Sequence, residues 1–245
     1  MPADAPTILA TSGGMRPGAS TDIEFAPLLH FAIEQAGVTG RRPRLAVVGT
    51  AGGDQRWRSA MISDAGQRAG IDLTQLDLFP MPATTDLDDL VLGQDVVWVD
   101  GGSVANLLAV WRVHGLPEVF RRAWAAGVVL AGISAGSLCW FVGGPTDSFG
   151  PALRVVTNGL ALLPYGNGVH YDSEPARRPA VQAAVAAGEL PLSYCTDDGA
   201  GLLFRGRELV EAVTERPNAG AYRVERAAGT PNGVVEHRIP VRRLH

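Results

Sequence analysis

A serine hydroxyl is a weak nucleophile unless a base takes its proton and nearby N–H groups stabilise the oxyanion that follows. The segment Gly132-Ile133-Ser134-Ala135-Gly136 fits that chemistry. It follows the apolar run Val128-Val129-Leu130-Ala131 and leads into a helix-compatible stretch, Ser137-Leu138-Cys139-Trp140. A turn this sharp crowds its neighbours, so the positions two before and two after the serine must lack side chains. The elbow then holds the Ser134 hydroxyl clear of the sheet, near a helix N-terminus with free backbone N–H groups. Gly-x-Ser-x-Gly can also arise by chance in a chain with 30 glycines. The strand before it and the helix after it are the context that favours a nucleophile.

A second turn, Val99-Asp100-Gly101-Gly102-Ser103, follows another apolar run and opens a helix through Trp111. Both turns fall at the carboxyl ends of their strands, where sites form in open parallel sheets. The N–H of Gly101 or Gly102 can join that of Ala135 as an oxyanion donor. On the pattern alone, a plain strand-to-helix turn reads equally well.

The chain holds five histidines as candidate bases. His30 falls inside the first expected helix, His114 near a helix end, and His237 and His245 in a polar tail. His170 differs, because it follows the loop and short strand of Pro164-Tyr165-Gly166-Asn167-Gly168-Val169 and precedes Tyr171-Asp172. An acid must then fix the imidazole tautomer. Asp147, Asp172 and Asp198 compete for that place, and spacing does not choose among them. Asp172 shares a face with His170 if the chain there is extended.

The elements that must carry these residues read as an α/β fold. Leu45-Ala46-Val47-Val48, Val96-Val97-Trp98-Val99 and Val128-Val129-Leu130-Ala131 are apolar at every position. Such runs suit strands covered on both faces, hence a mostly parallel, doubly wound sheet in a three-layer sandwich. Helical spacing runs from about Thr21 to Ala36 and again after Ser103. In the C-terminal third, Leu202–Phe204, Glu208–Val213, Ala221–Val224 and Val234–Glu236 are short runs between turn residues. Antiparallel strands at the sheet edge are expected there. Asp54 and Gln55, after Gly52-Gly53, read as a helix cap rather than part of the site rim.

Composition bounds the partners. The 245 residues carry a net charge of −4, with 46% hydrophobic and 19% charged residues. No linker or repeat interrupts the pattern, so one domain over residues 1–245 is expected. No basic, aromatic-laced segment suggests nucleic acid, and no apolar run is long enough for a membrane span. The first residues lack the pattern of a secretory signal. Cys139 and Cys195 have no metal-type spacing and are expected as reduced thiols in a cytoplasmic protein. No metal or cofactor is expected. A homodimer stays open, since the sequence does not fix the oligomeric state.

Taken together, Gly132-Ile133-Ser134-Ala135-Gly136-Ser137, Asp100-Gly101-Gly102 followed by a helix, Gly159-Leu160…His170-Tyr171-Asp172, and Asp198-Gly199 resemble the peptidase E branch of the peptidase E/cyanophycinase family of serine peptidases. The order of these landmarks matches from Thr7 to about Phe204. The resemblance implies a fold like the class I glutamine amidotransferase domain, with Ser134 as nucleophile and His170 as base. The family's acid before a glycine maps to Asp198. Gly102 and Ala135 then supply the oxyanion N–H groups. Relatives cleave an N-terminal aspartyl residue from short peptides or degrade cyanophycin. The family's arginine for the aspartyl carboxylate points to Arg177 or Arg178. The expected activity is that of a serine dipeptidase on small peptides. The rivals are an amidase for another small amide and a non-catalytic binding protein on the same fold.

Overall fold

A computed structural model describes residues 3–19 and 21–245. Its centre is an eight-stranded sheet. Five parallel strands lie side by side in the order Asp72–Gln75, Arg44–Val48, Val96–Val99, Val129–Ile133 and Thr7–Thr11. Ala200–Arg205 pairs antiparallel with Thr7–Thr11, Glu208–Thr214 pairs antiparallel with it in turn, and Val241–Arg243 closes that edge.

The continuous apolar runs have a direct cause. Successive side chains on a strand point to opposite faces, so a strand covered on both sides must be apolar throughout. Val97, Val99 and Leu130 pack on one face with Leu107, Trp111 and Phe120, from the helices Val104–Val113 and Leu116–Ala125. Val96, Trp98, Val129 and Ala131 pack on the other with Leu28, Leu29 and Ile62, from Pro27–Glu34 and Arg56–Arg68. The expected three layers are present, with the sheet in the middle.

Two elements differ from their sequence reading. The first helix spans Pro27–Glu34 rather than 21–36, with Pro27 in its first turn. Proline suits a helix start because it has no N–H to satisfy. The residues before it, Glu24–Phe25, instead pair with Met15–Arg16. The C-terminal strands also divide. Ala200–Arg205 and Glu208–Thr214 form the antiparallel edge of the main sheet. Ala221–Arg226 and Val234–Ile239 join Ser193–Thr196 and Gly166–Gly168 in a second, four-stranded sheet. The helix Arg177–Ala187 packs on this small sheet through Val181, Ala184 and Val185.

Cys139 and Cys195 are buried and unpaired, and burial pushes both thiols well above their ordinary range. Among the described residues, no helix is long and apolar enough to cross a membrane.

Candidate active site

Ser134 sits where the strand Val129–Ile133 turns into the short helix Ala135–Leu138. Its backbone has φ 58° and ψ −114°, a conformation L-residues avoid. The surrounding glycines explain how the turn is tolerated. A Cβ on Gly132 would lie 2.4 Å from Gly136 O, and one on Gly136 would lie 2.1 Å from Val99 O. The neighbouring strand therefore backs the elbow so closely that neither position accepts a side chain. The helix has only four residues, so stabilisation of an anion there rests on individual N–H groups rather than on a long helix dipole.

The Asp100-Gly101-Gly102 turn lies against this elbow. A Cβ on Gly101 would fall 3.3 Å from Ser134 Cβ. Gly102 has φ 140°, and a Cβ there would meet Ala51 O at 2.3 Å. The N–H groups of Gly102 and Ala135 donate no hydrogen bond among the described residues. Ser103 caps the following helix by accepting the Asn106 N–H.

His170 follows the strand Gly166–Gly168 and has φ 53°. That left-handed residue turns the chain, so the extended geometry expected to align His170 with Asp172 is absent. The imidazole instead meets Asp198, with Nδ1 2.6 Å from Oδ1. Asp172 stands behind this pair and accepts the Asp198 N–H at 2.8 Å. Asp147, exposed, lies instead 3.6 Å from Arg177 Nη2. The three acids that spacing left equal are thus separated by their contacts, and Asp198 alone among them touches the imidazole.

Sequence reading missed Ser12. The strand Thr7–Thr11 ends beside Ser134 and His170, and its last residue and the one after it hold both main chains. Thr11 O accepts the Ser134 N–H at 3.1 Å, and Ser12 Oγ accepts the His170 N–H at 3.1 Å. Ser12 Oγ also lies 2.7 Å from Thr196 Oγ1. A second tie runs from Ser137 Oγ to Asn167 Oδ1 at 3.0 Å, joining the helix after Ser134 to the strand before His170. A lone serine after an apolar strand carries no pattern that marks it.

Ser134 and His170 line two cavities in common. One, of about 290 Å³, includes Gly102, Asp147, Glu174 and Arg177. The other, of about 450 Å³, includes Gln55, Trp57, Arg58 and Asp100. No hydrogen bond joins the Ser134 hydroxyl to the imidazole among the described residues. Such bonds are often long until substrate binds.

The paired arginines diverge because consecutive helical residues point about 100° apart. Arg177 is 3% exposed and reaches the site, donating to Glu174 Oε2 at 2.6 Å and Pro145 O at 2.7 Å. Arg178 points the other way. It pairs with Glu236 at 2.8 Å and lies 4.6 and 4.5 Å from the ring centres of Tyr171 and Tyr222. Arg178, the other arginine expected at the substrate, lines neither of these cavities. The cap expected at Asp54 is corrected. Its buried carboxylate accepts the Leu78 and Phe79 N–H groups at 2.6 and 3.0 Å, and burial raises its pKa. Gln55 does line the larger cavity.

Among the described residues, no group of three or more His, Cys, Asp or Glu side chains could hold a metal ion.

Comparison with known proteins adds a family to this geometry. The model of peptidase family S51 matches residues 8–212. An uncharacterized peptidase of Bacillus subtilis (strain 168), YgaJ, is 36% identical over 237 residues, covering 97% of this chain and 98% of the relative. The crystal structure of a peptidase from an acI-B1 Actinobacterium superposes with a TM-score of 0.68 at 16% identity, covering 97% of this chain and 95% of that one. A Listeria monocytogenes EGD-e protein solved as a candidate peptidase E gives a TM-score of 0.60 at 17% identity, over 83% of this chain and 96% of its own. The two solved structures show the shared fold. The family match and the Bacillus relative show that this chain belongs to peptidase family S51, the serine peptidases whose elbow, base and acid its sequence resembles.

Proposed function

We propose that this protein is a serine exopeptidase of short peptides, working through Ser134, His170 and Asp198 and favouring an N-terminal aspartyl residue. The observation that carries the reading is the 2.6 Å contact between His170 Nδ1 and Asp198 Oδ1. It leaves the other ring nitrogen free for the serine proton. Substrate binding brings the Ser134 hydroxyl and the imidazole into hydrogen-bond reach. His170 takes the proton as Ser134 Oγ attacks the scissile carbonyl, and the Gly102 and Ala135 N–H groups receive the oxyanion. His170 then passes the proton to the leaving amine. Water attacks the acyl-enzyme by the same route, releasing the N-terminal residue and restoring Ser134.

Arg177 is the residue for an aspartyl carboxylate. Two of its nitrogens are held by Glu174 and Pro145, while Nη2 has only the 3.6 Å contact with exposed Asp147. A substrate carboxylate replaces that loose contact at the least cost. Two unpaired buried thiols suit a reducing compartment, so a cytoplasmic setting and one catalytic domain over residues 1–245 go with this reading.

A panel of Asp-X, Glu-X and Ala-X dipeptides tests it. Hydrolysis of Asp-X with the highest kcat/KM is expected, lost in Ser134→Ala. Equal rates across the three series reject the aspartyl preference, and activity retained in Ser134→Ala rejects the nucleophile.

A further inference from the structure

The two cavities that meet at Ser134 and His170 differ in chemistry. In the smaller one, Arg177 stands between the carboxylates of Glu174 and Asp147. Those alternating charges suit the N-terminal residue of a peptide, which brings an ammonium and, if aspartyl, a carboxylate. In the larger one, the charged side chains are Arg58 and Asp100, paired with each other at 2.8 Å. Its other walls include Val47, Ile62 and Trp57. A volume of about 450 Å³ falls within the range of small-molecule sites.

Trp57 is 61% exposed and lines this cavity, so its ring is open to a ligand bound there. The ring is oriented by two hydrogen bonds. Its Nε1 donates to Gln55 Oε1 at 2.5 Å, and Gln55 Nε2 donates to Gly52 O at 3.1 Å. Arg58 has a nitrogen to spare. Nε and Nη2 serve Asp100, Nη2 also contacts Met15 Sδ, and Nη1 has no partner among the described residues.

We infer that the larger cavity is the subsite for the leaving residue of a dipeptide, taking a large apolar side chain against Trp57 and the terminal carboxylate on Arg58 Nη1. The inference rests on the proposed exopeptidase reading and deepens it. The cavity around Arg177 holds the acyl residue, so the one walled by Val47, Ile62 and Trp57 is left for the residue that departs. An aromatic wall adds contact area with only two side-chain torsions to order. One guanidinium N–H separates a free C-terminus from an amide or a longer chain.

The test varies the leaving residue with the acyl residue held constant. Asp-Gly, Asp-Ala, Asp-Leu, Asp-Phe and the amide of Asp-Phe are compared on the wild type, Trp57→Ala and Trp57→Phe. The wild type is expected to favour Asp-Phe over Asp-Gly by at least about tenfold in kcat/KM, roughly what burying part of an apolar side chain supplies. Trp57→Ala is expected to bring that ratio near one, with the loss falling on Asp-Phe rather than on Asp-Gly. Trp57→Phe is expected to keep most of the preference, and the amide to be cleaved at least about tenfold less well than the free acid, as loss of a charged hydrogen bond requires. Equal losses for Asp-Gly and Asp-Phe in Trp57→Ala, or an amide cleaved as well as the acid, overturn the subsite while leaving the exopeptidase reading intact. A wild type that cleaves no dipeptide in the Asp-X, Glu-X or Ala-X series overturns both.

Discussion

The hydroxyl of Ser12 accepts the backbone N–H of His170 at 3.1 Å, across 158 positions of sequence. The residue before it, Thr11, accepts the N–H of Ser134 through its carbonyl. Two consecutive residues at one strand end thus fix the main chains of Ser134 and His170, each of which has a positive φ. Removing the Ser12 oxygen leaves a part-buried N–H without its acceptor and frees the His170 backbone to drift. Ser12→Ala is expected to lower kcat by about 10- to 100-fold, the scale of an ångström-size misplacement, with KM changed far less. Ser12→Thr, which restores the oxygen, is expected to recover most of the loss. Steady-state kinetics on an Asp-X dipeptide read both, and an unchanged kcat in Ser12→Ala contradicts the positioning role.

Asp198 and Asp172 are expected to separate cleanly on substitution. Asp198→Asn leaves the shape of the pair but disturbs the imidazole tautomer, and a fall in kcat approaching about 10⁴-fold is the scale known for such a change. Asp172→Asn keeps an oxygen that can accept the Asp198 N–H, and its loss is expected to stay under about tenfold, one hydrogen bond's worth. The reverse ranking moves the acid to Asp172.

The elbow glycines carry a structural expectation. In Gly136→Ala the new Cβ would start 2.1 Å from Val99 O, a backbone atom that cannot swing aside. A loss of stability of about 3 kcal/mol or more is expected, at the upper end for overpacking. Denaturant unfolding measures it, and a midpoint equal to wild type contradicts the packing described at the elbow.

Adjacent arginines are expected to behave as two unrelated residues. Arg178→Ala removes a guanidinium between two tyrosine rings and an ion pair with Glu236, so a stability loss of about 1–2 kcal/mol is expected with KM unchanged. Arg177→Ala is expected to raise KM for Asp-X dipeptides specifically. Thermal unfolding and dipeptide kinetics on both variants check this, and a KM effect in Arg178→Ala returns that residue to the substrate site.

Much of this was legible in the chain because local chemistry dictated it. Four or five apolar residues in a row mean a strand covered twice, and glycines around Ser134 mean a crowded turn. What stayed hidden depended on distance. Ser12 is a serine after a strand until the fold carries it to His170. Arg177 and Arg178 share a composition and a segment, and only the helix start at Arg177 sends one inward and the other onto Tyr171 and Tyr222. Asp54 looked like a cap because it precedes a helix, yet its carboxylate is used 24 residues on, at Leu78. The second small sheet did not separate from the main one because short runs such as Ala221–Val224 and Val234–Glu236 do not say which sheet they join, and the strand at Gly166-Asn167-Gly168 lacks β-forming side chains. A Cβ on Gly166 would lie 2.1 Å from Ser193 Oγ, so close approach to its neighbour set its composition.

The most direct test of the nucleophile is covalent. The native protein is treated with a fluorophosphonate, digested, and read by mass spectrometry. A single adduct on the peptide carrying Ser134 is expected, with labelling slowed strongly in Asp198→Asn. An adduct on another serine, or none on a protein that hydrolyses peptides, contradicts the assignment.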